Sequence, residues 1–462
     1  MTYSLPASLP RHIFRAYDVR GIINTDLTPD VFYALGLAIG SQARTLGESR
    51  LVLGRDARLT SAELSRALGQ GLCDSGCDVV DIGEVPTPLL YFATHHLKIP
   101  SGVMVTGSHN PADYNGAKIV LQNTTLAESA IIELYDRILQ KNFSTGAGHY
   151  TQTDVAAAYC ERVKNDIRIA RPLKIVIDCG NGIAGNIAPA LFRSLGCDCV
   201  ELYCEVDGRF PNHHPDPSVP ENLADLSARV RAEHADLGIA FDGDADRLGM
   251  VTNTGEIIWA DRQMMLFARD ILRQESGAVV FDIKCSSHLR DVITQSGGHP
   301  IMCQTGHSLV KARMRETRAL LAGEMSGHLF FRHRWYGFDD GIYAAARLLE
   351  IIAAQQKSTD DLFAEFPNSP TTPEIKIPID ESKKFGFMDQ FRKQARFQNA
   401  EVITIDGCRV EFSDGWGLVR VSNTSPNLTV RFEALTQSAL ARIQQQFREQ
   451  LQSIDASLAI TF

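Results

Sequence analysis

Leu51-Val52-Leu53-Gly54-Arg55-Asp56-Ala57-Arg58 opens a pattern that recurs along the chain. Three apolar residues read as a buried strand, and a polar loop follows. Thr60 and Glu63 have the spacing of a capping box at the start of a helix. Leu64, Leu68 and Leu72 stripe one face of that helix, Gly76 ends it, and Val79-Val80-Asp81-Ile82 reads as the next strand. A second copy starts at Lys174-Ile175-Val176-Ile177. It continues through the loop Asp178-Cys179-Gly180-Asn181-Gly182, a helix faced by Ile187, Leu191, Phe192 and Leu195, the stop Gly196, and a strand over 199–203. A third runs Val279-Val280-Phe281, Asp282-Ile283-Lys284, a helix faced by Leu289, Val292 and Ile293, Gly297, and a strand over 300–303. Strand, helix, strand implies parallel neighbours joined by a right-handed crossover. Any α/β segment shares that order, but the common glycine stop and the matching loops favour a true repeat.

The expected fold class is therefore α/β: three similar mixed α/β domains built on βαβ units, plus a smaller α+β C-terminal domain. Boundaries are expected at 1–150, 151–253, 254–366 and 367–462. Residues 367–378, rich in Pro, Ser and Thr, read as a linker. Beyond it, 408–412, 418–421 and 428–432 read as strands, followed by a helix faced by Leu440, Ile443, Phe447 and Leu451.

Bulk properties agree with a multidomain globular protein. The 462 residues exceed one ordinary hydrophobic core, and 44% hydrophobic content is too high for disorder. A net charge of -9 argues against general nucleic-acid or anionic-membrane binding. It leaves room for an anionic small substrate held by local Arg and Lys. Residues 1–15 lack a signal-peptide core and no stretch is apolar enough to span a bilayer, so a cytoplasmic protein is expected, and a monomer. The ten cysteines form no Cys-x-x-Cys pair or zinc-spaced cluster and read as reduced apolar residues. Cys73 and Cys77 are expected on one helix face, Cys197 and Cys199 at alternate strand positions.

Four loops carry the chemistry. Thr106-Gly107-Ser108-His109-Asn110-Pro111 follows the apolar run Val103-Met104-Val105 and holds Ser108 at the tip of a strand-ending turn. Turn residues alone have the same composition. Asp242-Gly243-Asp244-Ala245-Asp246-Arg247 follows a buried strand over 235–241. Alternate residues of a straight strand lie roughly 6–7 Å apart, so the small spacers Gly243 and Ala245 must let the chain curl for three carboxylates to meet one cation. A calcium EF-hand needs Gly sixth and Glu twelfth, where this chain has Arg247 and Asn253. A solvated acidic turn is the alternative, but crowded like charges are costly without a cation, and Mg²⁺ fits best. Arg247 is either a contact for a transferring phosphoryl group or a local partner for the acids. Gly323-Glu324-Met325-Ser326-Gly327-His328 offers an acid able to accept from two neighbouring sugar hydroxyls. Arg420-Val421-Ser422-Asn423-Thr424-Ser425-Pro426 gathers a guanidinium, hydroxyls and an amide in one turn, which suits a phosphate dianion.

Together these stretches resemble the α-D-phosphohexomutase family, within it the members acting on both mannose and glucose phosphates. Phe14-Arg15-Ala16-Tyr17-Asp18-Val19-Arg20-Gly21, Tyr114-Asn115-Gly116-Ala117-Lys118, Thr305-Gly306-His307-Ser308 and Trp335-Tyr336-Gly337-Phe338-Asp339-Asp340-Gly341 fit as well. Ala57 and His333 depart from the family pattern at positions without chemistry. The resemblance implies four domains around a central cleft and a phosphoryl group on Ser108. It implies one Mg²⁺ held by Asp242, Asp244, Asp246 and the phosphorylated Ser108. Hexose 1- and 6-phosphates would interconvert through a hexose 1,6-bisphosphate that turns end for end. Lys118 and His328 are the candidate proton carriers, with Arg20 as a charge partner and Arg247 on the transferring group. Glu324 and Ser326 would grip the 3- and 4-hydroxyls, with Tyr17, Lys284 and His307 around them. Arg420, Ser422, Asn423 and Thr424 would hold the unreacting phosphate. Narrower readings are a phosphoglucomutase or phosphoglucosamine mutase only. A metal-dependent phosphatase, a serine hydrolase and a non-catalytic sugar-phosphate sensor are the other classes. The hydrolase needs His109 as base, and adjacent residues on an extended loop are expected to point apart.

Overall fold

The computed structural model describes residues 3–422 and 426–462. Its first three sheets repeat one topology. In the first, Arg50–Arg55 lies between Asp78–Glu84 and Gly102–Val105, all parallel, and Tyr114–Leu121 pairs antiparallel with Gly102–Val105. In the second, Lys174–Asp178 lies between Asp198–Leu202 and Leu237–Phe241, with Leu248–Thr252 antiparallel beyond. In the third, Ala278–Asp282 lies between His299–Cys303 and Leu321–Gly323, with Leu329–Phe331 antiparallel beyond. The crossover helices Ser61–Asp74, Ala188–Ser194 and Ser287–Gln295 occupy corresponding places. The repeat read from the sequence is thus a shared strand order.

One apolar cluster joins all three sheets, including Met104, Phe241 and Phe281. Each such fully buried side chain contributes about 1.5–3 kcal/mol, and their sharing fixes how the sheets face one another. The fourth sheet is wholly antiparallel, in the order Ile375–Pro378, Asn427–Ala434, Gly415–Val421, Cys408–Phe412, Glu401–Ile403. Helices Lys384–Gln394 and Gln437–Ile454 cover it through Phe391, Ile443 and Phe447.

Three local expectations are corrected. Thr60 makes no side-chain cap, because its backbone is already helical, with φ -97° and ψ -12°. Its hydroxyl accepts from Asn115 Nδ2 at 3.0 Å. The helix ends at Asp74, so Cys77 lies beyond it, ahead of the next strand. The expected linker ends in a strand, Ile375–Pro378, whose Pro378 sits at its terminus where no further N–H is needed. All ten cysteines are free. Among the described residues, no helix is long and apolar enough to cross a membrane.

Candidate active site

The serine, aspartate and glutamate loops occupy the same place in their domains: each joins the third strand to its antiparallel partner. Shared topology therefore brings the three turns together.

Ser108 sits in the left-handed region, φ 47°. Its N–H donates to Thr106 Oγ1 at 2.8 Å, and its hydroxyl donates to Asp242 Oδ2 at 3.0 Å. This conformation overturns one expectation. The loop is not extended, and Ser108 Oγ lies 3.3 Å from His109 Nδ1.

The aspartate loop curls as its small spacers allow. Ala245 has φ 63°, its N–H donates to Asp242 O at 3.0 Å, and Asp242 Oδ1 accepts from the N–H groups of Asp246 and Arg247 at 3.1 and 3.2 Å. All three aspartates are fully buried, and each offers an oxygen within 4.8 Å of the others. Lys118 Nζ donates to Asp244 Oδ2 at 2.7 Å and also bonds Asp246. Thr87 Oγ1 donates to Asp244 Oδ2 at 2.5 Å. Burial, with the charges of Asp246 and Asp244, pushes the Asp242 carboxyl far above its usual range. Against the same burial, Lys118 and Thr87 hold Asp244 below it. Burial would lower Lys118, but Asp244 and Asp246 together raise it. Asp244 Oδ1 and Asp246 Oδ1 are buried and have no hydrogen-bond partner among the described residues. Unpartnered buried carboxylate oxygens converging beside a hydroxyl fit a hard divalent cation.

Arg247 Nε donates to His328 Nε2 at 3.0 Å. The guanidinium has no acceptor, so the ring proton of a neutral His328 sits on Nδ1. That nitrogen faces Asp246 Oδ1 at 3.4 Å and Asp339 Oδ2 at 3.3 Å. Asp339 also meets His307 Nδ1 at 3.5 Å and Lys311 Nζ at 2.9 Å. Burial, then the Lys311 charge, keeps the His307 ring well below its usual pKa. Arg247 further approaches Asp216 at 3.8 Å. Arg20 donates to Asp18, and its buried Nη1 has no hydrogen-bond partner among the described residues.

Glu324 accepts the Gly306 N–H at 2.6 Å, and burial raises its carboxyl. The Lys284 ammonium opposes that rise, so the glutamate loop lies within electrostatic reach of Lys284. Lys284 Nζ donates to Glu374 at 2.6 Å. Ser326 is partly exposed on the same loop. The fourth domain closes the circuit. Arg420 Nε donates to Asp406 Oδ2 at 3.0 Å, and that oxygen accepts the Thr305 N–H at 3.0 Å. The Thr305 carbonyl accepts from Tyr17 Oη at 2.8 Å, and the Tyr17 ring stands edge-on to His307 at 6.1 Å. Ser422 continues from Arg420, and its carbonyl accepts from Lys384 Nζ at 2.9 Å. Asn423 and Thr424 lie outside the described residues.

The sequence reading missed Thr87, Lys311, Asp216, Glu374 and Asp406, and it gave Asp339 no role. One signal was available: His307 and Lys311 are four apart on the helix His307–Thr317, hence on one face.

Models of four successive domains of the phosphoglucomutase/phosphomannomutase family match the chain. These are alpha/beta/alpha domain I over 11–145, domain II over 157–255, domain III over 259–369 and the C-terminal domain over 374–450. A phosphomannomutase/phosphoglucomutase of Pseudomonas aeruginosa is 52% identical over 463 residues, covering 100% of both chains. A phosphoglucomutase of Neisseria gonorrhoeae is 50% identical over 97% of this chain and 98% of its own. The crystal structure of a phosphoglucomutase/phosphomannomutase family protein from Burkholderia thailandensis is 49% identical. It superposes with a TM-score of 0.94 over 98% of this chain and 100% of that one. Four domains matched in order, and relatives of half-identical sequence over the full length, establish that this chain belongs to the phosphoglucomutase/phosphomannomutase family.

Proposed function

We propose that this enzyme interconverts hexose 1-phosphates and 6-phosphates of glucose and mannose, with Ser108 as the phosphoryl carrier. The observation that carries the reading is the Ser108 hydroxyl 3.0 Å from Asp242, inside a buried cluster of three aspartates. Phospho-Ser108 gives its phosphoryl group to the free hydroxyl of the bound sugar phosphate, leaving the seryl oxygen free. The resulting 1,6-bisphosphate turns end for end and returns its other phosphate to the same oxygen.

Asp242, Asp244, Asp246 and the Ser108 phosphate would hold one Mg²⁺. When bound, that ion supplies positive charge to the transferring oxygens. Arg247, fixed by His328 and Asp216, presents its guanidinium to the same group. Lys118 and His328 are the proposed proton carriers, with Arg20 as charge partner. Arg420, Ser422, Asn423 and Thr424 hold the unreacting phosphate in both poses. Glu324 and Ser326 grip the 3- and 4-hydroxyls, flanked by Lys284, His307 and Tyr17. Glucose and mannose share those hydroxyls and differ at carbon 2, so this grip admits both. We read the protein as a cytoplasmic monomer that binds neither nucleic acid nor membrane. The proposed domain boundaries are 1–150, 151–253, 254–366 and 367–462.

Specificity for glucose phosphates alone is the second reading, favoured by the Neisseria relative being a phosphoglucomutase. Intact mass of the purified protein and side-by-side assays with glucose 1-phosphate and mannose 1-phosphate decide. A phosphorylated Ser108 with turnover of both sugars is expected. Turnover of glucose 1-phosphate alone selects the second reading. Release of inorganic phosphate in place of hexose 6-phosphate would make the protein a phosphatase. Full activity of Ser108→Ala refutes the phosphoserine route.

A further inference from the structure

One buried side chain answers four carbonyls of the serine turn. Arg58, 3% exposed, donates from Nη1 to Pro111 O at 2.5 Å and Tyr114 O at 3.0 Å. From Nη2 it donates to Ser108 O at 2.8 Å and Asn110 O at 2.5 Å. All four terminal N–H groups of the guanidinium are thereby used. Its neighbour Asp56 takes the donors of the same turn: Thr106 Oγ1 at 2.8 Å and the Gly107 N–H at 3.0 Å. On the other flank, the second domain lays the Phe210 ring 4.9 Å from the guanidinium carbon.

The turn needs such a restraint. A non-glycine residue in the left-handed region costs about 1–2 kcal/mol, and each buried carbonyl left unpaired about 1–3 kcal/mol. Without the guanidinium, the backbone has every reason to rotate and carry the Ser108 oxygen away from Asp242. The terminal nitrogens of Arg58 donate to main-chain carbonyls, and its Nε lies 3.4 Å from Asp56 Oδ2, which itself bonds the turn, so it acts through the turn. We propose that Arg58 is the positioning residue for phosphoryl transfer at Ser108, an inference that rests on Ser108 being the phosphoryl carrier. A lysine keeps the charge but not the planar fork that spans four carbonyls.

Gly107 supplies an independent handle. A Cβ there would lie 2.1 Å from Arg58 Nε and 2.3 Å from its Cζ, so Gly107→Ala must displace the guanidinium while Arg58 itself remains. The experiment loads full-length wild type, Arg58→Lys, Arg58→Met, Gly107→Ala and the Met/Ala double variant with glucose 1,6-bisphosphate. Phospho-Ser108 is counted by intact mass, and the single-turnover rate constant of transfer to glucose 1-phosphate is measured per phosphorylated enzyme. That constant is blind to a lost folded fraction. Substrate dissociation constants are measured alongside.

Each single variant is expected to transfer roughly 10- to 100-fold more slowly, the effect of displacing a reacting group by about 1 Å, with sugar-phosphate affinity little changed. Gly107→Ala should add no more slowing once Arg58 is Met. Transfer at the wild-type rate in Arg58→Lys and Gly107→Ala overturns the proposal, whether or not Arg58→Met folds. So does an undiminished Gly107→Ala effect in the Met background. A wild type that never carries phosphate on Ser108 refutes the phosphoserine reading itself, and this one with it. A phosphorylated wild type with unimpaired variants refutes this one alone.

Discussion

Lys118→Met probes the charge balance at the centre of the site. The ammonium is 3% exposed, and it bonds two fully buried carboxylates, Asp244 at 2.7 Å and Asp246. Remove it from metal-free protein and the three buried aspartates lose that ammonium. Burial and the neighbouring carboxylates already push Asp242 up, so without the ammonium one carboxyl must take a proton or remain charged without that partner. Protonation bounds the loss. From an ordinary aspartate pKa near 3.9, neutralising one carboxylate costs about 4 kcal/mol at pH 7 and about 1.5 kcal/mol at pH 5.

The sign follows from linkage. In the wild type, Lys118 holds Asp244 below its unfolded pKa. That pair contributes stability above about pH 4 and loses it as pH falls. In the variant, a carboxyl titrates above its unfolded value, so stability is present at low pH and lost as pH rises. The gap between the two proteins therefore widens from pH 5 to pH 7. Thermal unfolding in chelator at both pH values measures it. Mg²⁺ is then titrated in, since a ligand of the folded state alone stabilises by RT ln(1 + [L]/Kd). The variant should recover more than the wild type, having lost the cation that competes for the same oxygens. An equal deficit at pH 5 and pH 7, or a smaller Mg²⁺ response in the variant, refutes the reasoning.

Asp340, buried and pushed up to about 7 by that burial, should make wild-type stability fall as pH rises from 5 to 8. Asp340→Asn keeps an acceptor for Tyr159 and the Tyr343 N–H, so its melting temperature should fall less steeply; parallel curves would contradict the shift. Arg409→Met removes donors to Ile283 O at 2.6 Å and Cys285 O at 2.8 Å, and a guanidinium stacked 3.8 Å from the Trp416 ring. It should cost about 3–5 kcal/mol at the junction of the third and fourth domains, seen as faster tryptic release of the C-terminal domain and a KM raised more than kcat is lowered. Gly208→Ala would set a Cβ 2.5 Å from Ala57 O, costing about 1–3 kcal/mol by overpacking, and calorimetry should show the lowered transition. Glu324→Gln should lower kcat/KM at least about tenfold, as loss of a charged acceptor for buried hydroxyls does, and should lose little against a 4-deoxy sugar phosphate.

Much of this site is written locally. Three aspartates separated by Gly243 and Ala245 name a curled cation loop, because spacing and side-chain size are properties of neighbouring residues. Glycine stops and apolar triplets name the repeat for the same reason. What stayed illegible depends on backbone rotation or on distant partners. His109 looked remote from Ser108 only while the loop was taken as extended, and one φ of 47° brings the two within 3.3 Å. Thr60 looked like a cap until Asn115, 55 residues away, took its hydroxyl. Asp406 and Glu374 lie beside no motif, and their roles exist only once the fourth domain docks on the third.

The repeat also explains where the domains differ. Register places Arg55 opposite Val105 and Phe281 opposite Gly323, so the next residues, Asp56 and Asp282, abut the start of their own turns. Each accepts a backbone N–H from that turn, Gly107 at 3.0 Å and Met325 at 3.2 Å. In the second domain Asp178 lies opposite Ala240, and two steps on stands Gly180, in the left-handed region at φ 49°. A side chain there would be strained by that φ and would set its Cβ 2.9 Å from Pro215 Cβ and 3.2 Å from His213 Cε1. Asp178, set back from the turn, pairs instead with His213 at 3.0 Å, raising that ring against the burial that would lower it. The carboxylate that steadies the turn in the first and third domains thus has glycine in its place in the one domain whose turn is built from carboxylates, where Asp242 Oδ1 takes the backbone N–H groups of Asp246 and Arg247 instead.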